Sequence, residues 1–192
     1  MEVLEAIRRR RSVRSYLETP VPDDLLYQLL EAARLAPSAA NIQPWHFIIV
    51  KDKEKRAKIA NCCSYGRFLV ESPIVIVGCG DEKASPRWYA IDTSIALENL
   101  IIAATGLGLG TCWIGSFDEG KLASLLQLPR NLRVIALVSV GYSRERKDLG
   151  ARLLHAIRPR KRLDEIVSLE TYGKAMQWNL STTLSPKEGS IN

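Results

Sequence analysis

The chain has 192 residues, 46% of them hydrophobic, enough for one domain with a substantial buried core. No run reaches the ~18–20 apolar residues of a membrane span, and the opening "MEVLEAIRRRR" has neither an apolar signal core nor a cleavage site, so the expectation is a cytoplasmic protein with no membrane partner. The net charge is +6, with five Arg against two Glu in residues 1–14, eight basic against two acidic residues in 144–162, and a net acidic remainder.

Val3, Leu4 and Ile7 at helical spacing predict a short amphipathic helix over 2–10. A second helix starts near Pro22-Asp23-Asp24, where proline and carboxylates suit a first turn. Its apolar stripe is Leu26, Leu29, Leu30 and Ala33, and Pro37 ends it. "HFIIV" (46–50) reads as a buried strand, and a charged helix follows over 53–61. "PIVIVGCG" (73–80) is a second buried strand. From 86 to 105 runs a long helix in which Ile91, Ile95, Leu97, Leu100, Ile101 and Ile102 cannot share one stripe. A helix apolar nearly all round is buried all round, and a partner subunit is one way to cover its second face. "TCWIG" (111–115) predicts a short strand, 118–126 a helix, and "RVIALVSVGY" (133–142) the strongest strand. "EIVSLETY" (165–172) predicts a last strand, and the polar tail runs from 175 to 192. The organisation is a single domain over 1–174 followed by that tail.

Several motifs are excluded by context. "GLGLG" (106–110) ends a helix and precedes a strand, the reverse of a dinucleotide fingerprint, so it reads as a helix cap and tight turn. Cys62, Cys63, Cys79 and Cys112 form no C-x-x-C, and only His46 and His155 are present, so neither a disulfide framework nor a metal site is expected. The basic excess at both ends fits either a solvated or nucleic-acid-facing surface, or two arms converging on one anionic ligand. "RRRRSVRSY" (8–16) lacks the interleaved aromatics that single-strand binders use, which argues against nucleic acid. Its guanidinium forks and the Ser12 hydroxyl suit phosphate oxygens.

The stretch "LAPSAANIQPWHFIIV" (35–50) sets four small residues and the amides Asn41 and Gln43 between two prolines. Together with "RRSVRSY" and "AIDTSIALENLIIAATGLGLGTCWIG", in this order and spacing, it closely resembles the FMN-dependent nitroreductase family over residues 5–172. The resemblance implies an α+β fold: a mixed, mostly antiparallel central sheet wrapped by helices, in a homodimer with C-terminal strand exchange and FMN at the interface. It assigns Arg10, Arg11, Ser12 and Arg14 to the phosphate and pyrimidine edge of FMN. Pro37, Ser38, Ala39 and Asn41 would lie along the ring, contributed by the partner subunit, because small residues let backbone approach a ligand closely. Trp113, Ile114 and Gly115 fall where the family supplies a backbone N–H near flavin N5. Arg160 and Arg162 match its second basic arm. Arg67 is a candidate in the poorly aligning segment 61–72. Trp45 and Phe47 read as core, and Gln43 as either a ligand contact or a loop staple.

The implied reaction passes hydride from NAD(P)H through FMN to quinone, nitroaromatic or related acceptors by ping-pong turnover. No side chain is required as acid or base; Arg14 is the candidate for stabilising charge at N1 and C2=O. The alternatives are a specialised reaction on the same scaffold (dehalogenation, dehydrogenation or flavin fragmentation) and a non-enzymatic flavin-binding protein.

Overall fold

Four strands, β1 (Trp45–Val50), β2 (Ile74–Asp81), β3 (Gly110–Ile114) and β4 (Leu132–Gly141), form an antiparallel sheet in the order β1-β2-β4-β3. The computed structural model describes residues 1–144 and 160–179. The chain divides into two units, Met1–Arg146 and Lys147–Asn192, and the sheet belongs to the first.

Period-two alternation along β2 sorts the core into two layers. Ile74 and Ile76 face a cluster with Leu26, Leu29, Leu97 and Leu100. Val75, Val77 and Cys79 face a second cluster with Ile59, Leu69 and Leu122. Both faces of the sheet are therefore covered, and β2 reads as a continuous apolar run because it is central. A register shift between Gly78 and Cys79 leaves Ile135 as the extra residue on β4. Val134 thus points to the second cluster while Ala136, Val138 and Val140 point to the first.

β1 departs from the expected buried strand: only Val50 is buried, and His46 is exposed. Among the described residues it pairs on one side only, with β2, and an apolar run alone does not distinguish an edge strand from a central one. Trp45 and Phe47 pack against the first cluster, in line with their reading as core.

Helices α1 (Val3–Arg9), α2 (Asp23–Arg34), α3 (Lys53–Asn61), α4 (Tyr89–Gly106) and α5 (Glu119–Leu126) complete this unit. The side chains of Asp52 and Asp118 cap α3 and α5 by accepting the Lys55 and Lys121 backbone N–H groups. α4 starts three residues later than the expected Pro86, because Asp81 accepts the Lys83 and Ala84 N–H groups and holds the chain in turns first. It ends as expected in a glycine cap. Gly108 takes φ +78, its N–H donates to Thr105 O at 3.1 Å, and Leu109 N–H donates to Ala104 O at 2.8 Å, the paired bonds of a Schellman motif.

Within one chain α4 is not covered on all sides. Leu97, Leu100 and Ile101 are buried, but Ile91 and Ile95 remain 51% and 38% exposed. The apolar stripe of α1 is exposed too: Val3, Leu4 and Ile7 all face solvent, and Ala6 alone is buried.

In the second unit, the strand expected over 165–172 is not formed. The chain makes a short 3₁₀ turn at Leu163–Glu165 and then reverses, with Leu169 N–H donating to Lys174 O at 2.8 Å and left-handed φ at Glu170 and Gly173. Two left-handed residues so close together interrupt an extended run. Most of the basic segment 144–162 and the tail beyond residue 179 lie outside the described residues.

Candidate functional site

The N-terminal arginine segment is built as a stitched arm. Arg10 closes α1, its N–H donating to Ala6 O. The chain then runs along β3, where Ser12 forms a parallel bridge to Thr111 and Val13 N–H donates to Thr111 O at 2.8 Å. Gly110 permits this approach: a Cβ there would meet Val13 Cγ2 at 2.7 Å. Tyr16 anchors the far end. Its ring is fully buried and its hydroxyl reaches Val13 O and Ser139 Oγ. Leu17 N–H to Tyr142 O and Arg144 N–H to Ser15 O fasten the same end to the chain just beyond β4.

Arg11, Ser12 and Arg14 are exposed on this arm, and Arg10 is half-buried. Beneath it lies Cys112, whose thiol is pushed up by burial and pulled the other way by Arg14, a Ser12 hydrogen bond and Arg10. Arg10, Ser12 and Arg14 therefore lie on one short segment near enough to Cys112 to act on its thiol. Arg11 does not join them in this conformation: its guanidinium folds back onto Arg8 O at 2.6 Å and Arg10 O at 2.9 Å.

Along β3, Trp113 is 39% exposed while the Ile114 side chain is buried in the second core cluster. The Ile114 side chain is therefore out of reach of a ligand. Gly115 is exposed at the end of the strand. Nearby, Ser64 N–H donates to Ser116 O, Asp118 N–H donates to Cys62 O, and Cys63 bridges Phe117. These contacts bring residues 62–64, just before the 3₁₀ turn Arg67–Val70, alongside the segment after β3.

The small-residue loop is strained. Ala40, Asn41 and Gln43 all adopt left-handed φ of +49, +55 and +54, a conformation that costs a non-glycine residue about 1–3 kcal/mol. Local bonds hold it: Gln43 N–H donates to Ser38 Oγ at 2.9 Å and Asn41 N–H to Ser38 O at 3.0 Å. Gln43 Nε2 donates to Asn41 O, which makes Gln43 a loop staple in this structure. Ala39 N–H donates to Asp92 Oδ2 at 3.2 Å. Asp92 is 4% exposed in the first turn of α4. It was not among the residues expected from sequence.

One chain does not unite these parts. The loop leads into β1 and the arginine arm lies along β3, at opposite edges of a sheet in which β1 and β3 are themselves about 14 Å apart at ~4.8 Å per strand step. In the second unit, Arg160 is exposed, and the guanidinium of Arg162 is paired with Asp164 through two contacts of 3.0 Å. That fork is occupied in this conformation.

Guanidinium forks, a hydroxyl and an ordered backbone on one short segment form a donor set suited to a phosphate monoester and the polar edge of a heterocycle. A loop of small residues offers backbone for close contact with a flat ring. Comparisons with known proteins agree with this chemistry. A family model described as "Nitroreductase family" matches residues 7–65 and 63–142. A protein of Archaeoglobus fulgidus with the provisional name NADH dehydrogenase/NAD(P)H nitroreductase is 40% identical over 154 residues, 77% of this chain and 88% of that one. The FMN reductase [NAD(P)H] of Bacillus subtilis is 29% identical over 193 residues, covering 89% of this chain and 74% of its own. Among solved structures, an FMN-dependent nitroreductase from Clostridium difficile superposes with a TM-score of 0.76 at 29% identity, covering 88% of this chain and 99% of that one. With its fold, its arginine arm and these likenesses in agreement, the chain belongs to the nitroreductase family.

Proposed function

We propose that this protein is an FMN-dependent NAD(P)H oxidoreductase working as a homodimer with its flavin held between subunits. The observation that carries the reading is the arm at β3, where Arg10, Ser12 and Arg14 lie on one short segment whose backbone is stitched to Thr111. When bound, FMN supplies the hydride chemistry, from NAD(P)H to a quinone, nitroaromatic or related acceptor.

The protein's residues bind and orient. Arg10 and Ser12 hold the phosphate end by charge-assisted hydrogen bonds. Arg14 faces the pyrimidine edge and stabilises negative charge there. The backbone of Trp113, Ile114 and Gly115 offers an N–H donor toward the ring. Pro37, Ser38, Ala39 and Asn41 of the second subunit lie along the ring with little side-chain bulk in the way. On the strength of the resemblance, the cofactor set extends to Arg11, Arg160 and Arg162. Two facts support a dimer: the loop and the arm stand at opposite edges of one sheet, and Ile91 and Ile95 leave an apolar face of α4 uncovered.

The test is reconstitution with FMN followed by spectral titration and a panel of acceptors with NADH and NADPH. The expected result is about one FMN per chain and parallel double-reciprocal lines, because reductant and acceptor take turns in one space. Protein that stays colourless with excess FMN overturns the reading, and intersecting lines overturn the shared space.

A further inference from the structure

We infer that Asp92 is a positioning residue for the flavin-facing loop, holding it in its left-handed shape through the Ala39 N–H. The inference rests on the flavin reading above and adds a residue that makes no cofactor contact itself.

The geometry begins at Gly80. Gly80 pairs with Trp45, the first residue of β1 and the one directly after the loop. A Cβ on Gly80 would meet Thr93 Oγ1, Tyr89 Cδ2 and Tyr89 O, each at 2.9 Å. Glycine therefore lets the first turn of α4 close down on this end of the sheet. That closure brings Asp92 under the loop, buried to 4% exposure, where Oδ2 accepts the Ala39 N–H at 3.2 Å. Pro44 on the other side is tied to β2, Asp81 N–H donating to Pro44 O at 2.8 Å.

Between these ends, residues 38–43 hold one another through Ser38 and Gln43. Among the described residues, the Ala39–Asp92 bond is the one hydrogen bond from 38–43 to another element. Ala40 has no side-chain group to favour φ +49, unlike Asn41. The strained turn is therefore held from outside, by a carboxylate on a helix fixed in the core. Removing that acceptor frees the loop to relax toward right-handed or extended backbone, which moves the surface that would lie on the ring.

The test compares wild type with Asp92→Ala, Asp92→Asn and Ala39→Pro. Asparagine keeps an acceptor oxygen at the same place. Proline deletes the donor while leaving Asp92 intact, and Ser38 at φ −142, ψ 157 already has the backbone a following proline requires. Two readouts are taken: hydrogen exchange of residues 38–43 in flavin-free protein, and affinity for both FMN and riboflavin. In Asp92→Ala and in Ala39→Pro, loop exchange should speed up, and both flavins should weaken together by about three- to tenfold. Asp92→Asn should stay within about twofold of wild type, since the acceptor survives.

Loop exchange and both affinities unchanged in Asp92→Ala and Ala39→Pro would overturn the inference. So would an Asp92→Asn defect as large as that of Asp92→Ala, which would assign the effect to charge. A loss confined to FMN would also overturn it, because the loop is assigned to the ring and riboflavin shares that ring. If Asp92→Ala proves unstable throughout, Ala39→Pro and Asp92→Asn decide. Wild-type protein that binds neither flavin would remove the underlying reading and the cofactor role of Asp92 with it; the exchange arm then still decides whether Asp92 holds the loop.

Discussion

The hydroxyl of Tyr16 lies 2.7 Å from Ser139 Oγ and 2.7 Å from Val13 O, in a site with no solvent access to the ring. A phenol has one proton, so Tyr16 donates to the carbonyl and Ser139 donates to Tyr16. Val13 sits between Ser12 and Arg14, and Ser139 belongs to β4, so this pair ties the arginine arm to the core. Tyr16→Phe should cost about 1–3 kcal/mol, because Val13 O loses its donor and Ser139 Oγ is left with only the long 3.4 Å bond to Cys112 O. Urea unfolding measures this, and an unchanged midpoint would show that the arm does not depend on the hydroxyl.

The same residue predicts an alkaline limit. Burial pushes the Tyr16 phenol far above its ordinary value of 10.0, and the Ser139 hydrogen bond offsets this only in part. Above pH 10 the unfolded chain releases this proton and the folded chain keeps it. Stability is therefore fully present below pH 10 and falls as pH rises, by up to about 1.4 kcal/mol per unit from this group. Subtracting the Tyr16→Phe curve from that of wild type isolates the slope. A difference that is flat between pH 9 and 11 would mean the phenol ionises freely in the fold.

The arm should separate two ligands that share a ring. Arg10→Ala should weaken FMN by about ten- to a hundredfold, from loss of a charge-assisted contact worth about 1.5–3 kcal/mol, and leave riboflavin nearly unchanged. Arg14→Ala should weaken both and lower the flavin potential. Calorimetric titration with the two flavins decides it: equal losses in Arg10→Ala would show that Arg10 does not read the phosphate.

The uncovered face of α4 predicts assembly. Ala90, Ile91, Ser94, Ile95 and Glu98 line a shallow surface cavity of about 410 Å³ there. Light scattering of wild type should give twice the chain mass, and Ile91→Glu should give the monomer mass with weakened FMN binding, since a charge in an apolar contact is costly. A wild-type monomer loaded with flavin would refute the shared site.

Much of this architecture is legible in the residue order, and the misses have physical causes. The continuous apolar run in "PIVIVGCG" and the cap in "GLGLG" are local, and both appear where expected. The edge position of β1 depends on which strands pair, which an apolar run does not encode. The late start of α4 depends on the Asp81 side chain taking two N–H groups. The turn at Glu170 and Gly173 overrides residues with good strand propensity. Ala40 in the left-handed region has no compositional signal, since its conformation is imposed by its neighbours. Arg10, Ser12 and Arg14 stand in one dense basic motif of the sequence, and neighbours in a motif stay neighbours on the arm. The link from Ala39 to Asp92 spans 53 residues and is visible only in the fold.

The placement of loop and arm at opposite edges of the sheet has a genetic consequence. If each flavin takes its arm from one chain and its loop from the other, two differently damaged chains can repair each other. Pairing an Arg14→Ala chain with an Asp92→Ala chain makes one site with both defects and one with neither. Random reassortment of an equal mixture then leaves roughly a quarter of all sites intact, so two weak parents would yield offspring stronger than either. A protein whose site closes within a single chain has no such complementation.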